Sequence, residues 1–149
     1  MYRSQLLLVS LTFLTPVYGE NHSCPASFDD AIKQTFRAIK ERDLDRYMGT
    51  LPPASKIAMI LPNGSRWNGR DEVRAGHREW FADPTWTFNA RVVQKTQTEH
   101  FGMAIFDVSV DRPDNPGSPF LLSMGFAPGP SGCWHLFHDQ NTLKPQVVE

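Results

Sequence analysis

The chain has 149 residues, with 15 Lys and Arg against 16 Asp and Glu. That balance excludes the long-range attraction on which nucleic-acid and anionic-membrane binders depend. The length allows one modest hydrophobic core rather than two.

Residues 1–19, MYRSQLLLVSLTFLTPVYG, read as a secretion signal. They carry one charge at Arg3, an apolar run from Leu6 to Leu14, then Pro16 and a cleavage-type end at Val17-Tyr18-Gly19. The run is shorter than the roughly 20 residues a membrane-spanning helix needs. The alternative, a buried first element of the domain, is opposed by the polar Glu20-Asn21-His22-Ser23 that ends it. Cleavage after Gly19 leaves 14 basic and 16 acidic residues in a secreted or periplasmic protein, with an N-terminal arm over 20–26 and one domain over 27–149. In such a compartment Cys24 and Cys133 read most simply as one disulfide tying the arm to a late strand, the alternative being two thiols that never meet.

Ser27 is a good N-cap, and Asp30 completes a capping box. Phe28, Ile32, Phe36 and Ile39 then recur at helical spacing, so a four-turn amphipathic helix is predicted, ending near Arg42–Leu44. Leu44, Tyr47 and Met48 suit a short second helical turn, and Leu51-Pro52-Pro53 is a break. Ile57–Leu61 reads as a short buried strand running into the turn Pro62-Asn63-Gly64-Ser65. A second helix follows from Arg70 to Phe81, with Asp71 and Glu72 in its first turn and Val73, His77, Trp80 and Phe81 on one side. The remainder alternates as strands over 85–95, 103–110, 120–127 and 133–139, joined by Gly- and Pro-rich connections. Helices first and antiparallel strands afterwards argue an α+β fold.

In this order the segments resemble a known pattern. A helix ends in Asp43-Leu44-Asp45, a strand enters Pro62-Asn63-Gly64, Gly69-Arg70-Asp71-Glu72-Val73 opens the next helix, and Gly132-Cys133-Trp134-His135-Leu136-Phe137-His138-Asp139-Gln140 forms the last strand. Over residues 27–143 this resembles the nuclear-transport-factor-2-like (NTF2-like) superfamily, particularly its SnoaL-like and DUF4440 members and the ketosteroid-isomerase relatives. The resemblance implies a cystatin-like cone, in which a curved antiparallel sheet wraps around a long N-terminal helix and leaves a pocket at the open end. It also implies a homodimer formed through the sheet. Members range from isomerases, cyclases and dehydratases to plain binding modules, so the fold fixes no reaction. The family's base position, just before the turn proline, is Leu61 here, and the region of its oxyanion tyrosine holds Thr35 and Phe36. Isomerisation by that route is disfavoured.

Three residues stand out as catalytic candidates. His138 shares strand parity with Trp134 and Leu136 and suits proton transfer near neutral pH, or else it serves packing. His77 lies on an apolar helix side and needs a partner if buried, for which the mid-strand Asp107 is available; otherwise Asp107 faces solvent. Trp67, Trp80 and Phe81 are candidate ligand-binding surfaces, with ordinary core packing as the alternative. The five histidines have no metal-binding spacing, and no cofactor motif is present. The first expectation is therefore a small-molecule-binding domain with an apolar pocket for a small apolar or carbonyl-containing ligand. The others are an isomerase, cyclase or dehydratase with a histidine base, and a dimeric interaction module.

Overall fold

The computed structural model describes residues 24–53 and 57–145. The expected signal over 1–19 and most of the arm lie outside the described residues.

Helix α1 spans Phe28–Glu41. Ser27 caps it by accepting from the Asp30 N–H (3.1 Å) while its hydroxyl donates to the Asp30 carboxylate (2.7 Å). The helix buries Phe28, Ala31, Ile32, Thr35, Ala38 and Ile39. It stops at Arg42, whose φ of 55° is left-handed. That conformation is uncommon for a side-chain-bearing residue, and tertiary bonds hold it here. The Arg42 guanidinium donates to the carbonyls of Asp83, Pro84 and Trp86 and lies 4.0 Å over the Trp86 ring.

Asp43 then caps the short helix α2, Leu44–Gly49, which buries Tyr47 and Met48. Strand β1 (Ala58–Ile60) and β2 (Arg66–Asn68) form a hairpin over the Asn63-Gly64 turn, where Gly64 takes a φ of 81°. Helix α3 covers Gly69–Ala82. Glu72 folds back to accept from the Asn68 N–H (2.7 Å), satisfying one of the free amides at the helix start. Long strands follow: β3 (Thr87–Gln97), β4 (Gly102–Asp111), β5 (Phe120–Pro128) and β6 (Trp134–Leu143). Cys24 and Cys133 are disulfide-bonded across 109 residues, fastening the arm to the approach of β6.

The six strands make one sheet in the order β2-β1-β6-β5-β4-β3. This corrects the expectation of a curved antiparallel sheet wrapped around the first helix. The sheet is open, with β2 and β3 as its two edges, and it is mixed because β1 runs parallel to β6. The cause lies in chain order. The strand that follows α1 and α2 pairs antiparallel with its sequence neighbour β2 on one side and enters beside the last strand, β6, on the other, and that long-range pairing runs parallel. Helix α1 packs on the sheet through Phe36, whose ring meets Phe106 edge-on at 4.7 Å and Phe88 at 5.6 Å.

Two bulges set which side chains face the helices. On β3, Val93 is the extra residue between the pairs Val92–Phe106 and Gln94–Ile105. On β6, Phe137 is the extra residue between the pairs Leu136–Phe126 and His138–Gly125. A bulge leaves one residue unpaired and resets the alternation beyond it. Before Phe137 the even residues Trp134 and Leu136 point inward; beyond it Asp139 is the buried one.

Candidate functional site

Between the helices and the inner sheet face lies a cavity of about 360 Å³, within the usual range for small-molecule sites. Its floor and walls include the buried Tyr47, Met59, His77, Phe88, Leu122 and Asp139, joined by the half-buried Trp67 and Trp80. Pro62, Arg112, Ser118 and Leu143 line it while remaining exposed, so they form its mouth.

Helix α3 supplies one wall because Val73, His77 and Phe81 recur every four residues and share one buried side. The helix is clasped to α2 by Arg70, whose guanidinium donates to the carbonyls of Met48 (3.0 Å), Leu51 (3.2 Å) and Pro52 (3.0 Å). The clasp sets Tyr47 against His77, with rings stacked at 3.9 Å and 24°. Trp67, Trp80 and Phe81 surround the same imidazole edge-on, at 5.5, 5.8 and 5.4 Å. Trp67 itself lies over Gly76, where a Cβ would stand 2.2 Å from its indole.

His77 Nδ1 is 2.9 Å from the Val73 carbonyl oxygen. A carbonyl only accepts, so this bond assigns the proton to Nδ1 and leaves Nε2 with its lone pair. Burial among aromatic rings pulls the His77 pKa down to about 4, against which the Val73 bond acts only partly. The ring is therefore neutral at physiological pH.

Asp139 is a second titratable group in the wall, and it has no cationic partner among the described residues. It is only 7% exposed, and burial pushes its pKa up to about 7. The one described bond to its carboxyl comes from Asn141, whose Nδ2 donates to Oδ1 (2.9 Å) and also to the Ile60 carbonyl (2.9 Å). That donation favours the anion but is weaker than the desolvation. With Oδ1 accepting, Oδ2 is the atom for the proton. Tyr47 adds a hydroxyl with a weak acceptor, the Met59 sulfur at 3.7 Å. Burial and then the charge of Asp139 hold the phenol well above its usual pKa.

The sequence candidates fall in three places. His77, Trp67 and Trp80 line the cavity. Phe81 is 8% exposed and packs behind it against Tyr47 and His77. His138 and Asp107 lie elsewhere. The Phe137 bulge turns His138 to the face opposite Asp139, paired in register with Gly125 and Ala58. Asp107 alternates with the buried Phe106 and Val108 and forms ion pairs with Arg91 and Lys144, which hold its pKa down. The expected His77–Asp107 pairing is thus not formed, because the aspartate is engaged on the other side of the sheet. Asp139, Asn141 and Tyr47 take the polar roles instead. Leu61 lines the cavity, so the position of the family's base is occupied by a side chain that carries no proton.

Among the described residues no cluster of three metal-ligating side chains is present, and no helix is long and apolar enough to cross a membrane.

No curated protein sequence matches the chain. Several solved structures share its fold. One, from Thiobacillus denitrificans and assigned as a calcium/calmodulin-dependent protein kinase type II association domain, is 20% identical with a TM-score of 0.72, covering 81% of this chain and 97% of its own. Another, from Streptomyces avermitilis and assigned as a dehydratase of the NTF2-like family, is 14% identical with a TM-score of 0.66 and coverages of 78% and 92%. A third, from Shewanella frigidimarina and assigned as a ketosteroid isomerase, is 14% identical with a TM-score of 0.65 and coverages of 75% and 91%. At these identities the likeness concerns the fold alone. The SnoaL-like domain model matches residues 29–140, which takes in both helices of the site and the strand that carries Asp139. The chain belongs to the SnoaL-like domain family.

Proposed function

We propose that this is an exported domain that binds a small apolar molecule bearing a carbonyl group, and that Asp139 in its acid form donates a hydrogen bond to that carbonyl. The observation that carries the reading is a carboxyl with no cationic partner among the described residues, buried at the floor of a cavity otherwise lined mainly by apolar and aromatic side chains. Burying such a group is costly unless it stays neutral and finds a partner. A carbonyl oxygen entering the cavity provides one. Indole, tyrosine and phenylalanine rings then hold the apolar body.

The test is binding of neutral aromatic ketones, followed by thermal shift and by fluorescence of Trp67 and Trp80. Affinity should be level below pH 7 and fall roughly tenfold per pH unit above it, as Asp139 loses its proton. A pH-independent affinity, or no binding across the panel, would refute the reading.

A second reading is favoured by one observation: a neutral imidazole with a bare Nε2 and a neutral carboxyl line the same cavity. In an isomerase, cyclase or dehydratase, Asp139 would polarise the carbonyl while His77 Nε2 takes a proton from the neighbouring carbon. Solvent deuterium exchange into a bound ketone, measured by NMR, tests it. Loss of exchange in His77→Phe with binding retained supports catalysis, and absence of exchange in the parent protein removes it.

Export rests on the leader character of residues 1–19, with the arm over 20–26 and the domain over 27–149, and on a disulfide suited to an oxidising compartment. An N-terminus at Glu20 on the secreted protein would support it; a retained leader would not. A homodimer through the sheet, the interaction-module alternative, draws on the exposure of Val92 and Val93 on edge strand β3. Light scattering coupled to size exclusion decides between one copy and two.

A further inference from the structure

Among the described residues Arg112 is the only Lys or Arg in the lining of the cavity, and it stands at the exposed mouth. The one acidic side chain among the described lining residues, Asp139, is at the buried floor. The cavity therefore has an electrical direction, with a fixed cation outside and an ionisable acid inside.

The mouth is a constructed feature. Arg112 begins the β4–β5 connection, and its backbone exchanges hydrogen bonds with Asn115 (3.1 and 3.2 Å). Gly117 presses so closely on β4 that a Cβ there would lie 2.1 Å from the Val110 carbonyl oxygen. The guanidinium is aimed by Asp83, whose Oδ2 accepts from Nε (3.3 Å) and Nη2 (3.0 Å). Asp83 is itself fixed by Thr85, whose N–H and hydroxyl both donate to Oδ1 (2.9 and 2.6 Å). These bonds use one edge of the guanidinium. Both N–H groups of Nη1 have no partner among the described residues, and the Ser118 hydroxyl lines the same mouth.

We propose that the ligand is an anion: an apolar carbonyl compound ending in a carboxylate, which Arg112 takes at the mouth while the carbonyl reaches Asp139 at the floor. This rests on the carbonyl-binding reading above and adds the ligand's charge and orientation. Guanidinium is the side chain best matched to a carboxylate, through two parallel N–H donors. The reverse orientation would bring the carboxylate against Asp139, where two carboxyl groups compete for one proton. Asp83 does not close the site, because its bonds are to Nε and Nη2 and leave the Nη1 side of the guanidinium open.

The experiment uses the mature, disulfide-bonded protein at pH 6 and low salt, where Asp139 is in its acid form. The probes are para-benzoylbenzoate and benzoylpropionate, each beside its methyl ester, with affinities taken from tryptophan fluorescence and calorimetry. The acids should bind about 10-fold or more tightly than the esters, and high salt should erode that advantage. In Arg112→Gln the preference for acid over ester should vanish, and Arg112→Lys should keep part of it. Equal affinity of acid and ester for the parent protein, or a preference surviving in Arg112→Gln, overturns the anion assignment and leaves the carbonyl reading standing. If neither member of either pair binds, the carbonyl reading falls with it.

Discussion

Two of the buried titratable groups, Asp139 and His77, make a sharp prediction about stability and pH. Asp139 loses its proton near pH 3.8 in the unfolded chain and near 7 in the folded one. Between those values the native state binds more protons, so stability falls as pH rises. At about 1.4 kcal/mol per pH unit, the loss develops from pH 4 and reaches about 4 kcal/mol by pH 8. His77 runs the other way. It protonates near pH 6.5 when unfolded but only near 4 when folded. Its neutral form is accommodated in full above pH 6.5, and about 3 kcal/mol is lost as pH falls to 4.

Over pH 4–7 the two slopes oppose each other, and their sum varies by less than about 1 kcal/mol. Removing either group should uncover the other. Asp139→Asn keeps an acceptor for the Asn141 amide and should gain about 3 kcal/mol of stability between pH 4 and 7, relative to the parent's slope. His77→Phe should show the opposite slope, of similar size. The assay is urea unfolding followed by tryptophan fluorescence and circular dichroism at half-unit pH steps without reductant. Every other carboxylate is common to parent and variant, so the difference curves isolate the two sites. A difference between Asp139→Asn and the parent that is flat across pH 4–8 would show that the carboxyl is solvated, and the argument for a neutral acid at the cavity floor would be lost.

Other elements of the site predict separate outcomes. Gly76→Ala places a methyl group in the Trp67 indole, so it should destabilise by about 1–3 kcal/mol and shift the fluorescence spectrum as the ring moves into the cavity. Arg70→Ala removes a donor from three carbonyls at and just beyond the end of α2. It should lower unfolding stability by about 2 kcal/mol, with Arg70→Lys recovering only part because one ammonium cannot reproduce the fork. Replacing Cys24 and Cys133 by serine removes a constraint spanning 109 residues, for an expected loss of about 2–5 kcal/mol in urea unfolding.

How far the sequence reveals this site depends on the range of the interaction that places each residue. The helices were legible because their signals are local: Ser27 with Asp30 at the start of α1, and the Val73–His77–Phe81 spacing on α3. His77 could be picked out for the same reason. Strand β2 could not, since Arg66-Trp67-Asn68 is too short to show alternation and is held by its partner β1. The failure at β6 is more instructive. Strict alternation from Trp134 selects His138, yet one extra residue at Phe137 hands the inward position to Asp139. That bulge is a property of the pairing with β5, around Gly125 and Phe126, and nothing in the 134–139 stretch encodes it alone. The parallel pairing of β1 with β6 is likewise a long-range event. Asn141 was out of reach because β6 continues to Leu143, past where the apolar pattern fades.

The polar groups of the cavity oppose what packing alone would select, and that opposition can be measured. A leucine at position 139 would remove a desolvated carboxyl and fill part of a hollow of about 360 Å³, both stabilising changes. Its one local cost is the Asn141 amide, which keeps the Ile60 carbonyl but loses Oδ1 as an acceptor, a loss of about 1–3 kcal/mol. Against the roughly 4 kcal/mol released above pH 7, Asp139→Leu should be at least as stable as the parent at pH 8 and less stable than it near pH 4. The same variant should lose ketone binding at every pH, because no donor remains at the floor. A site that loses binding while the fold gains stability is one whose residue is kept for its ligand. If Asp139→Leu binds ketones as the parent does, Asp139 is a tolerated burial, and the carbonyl donor must be sought elsewhere in the wall.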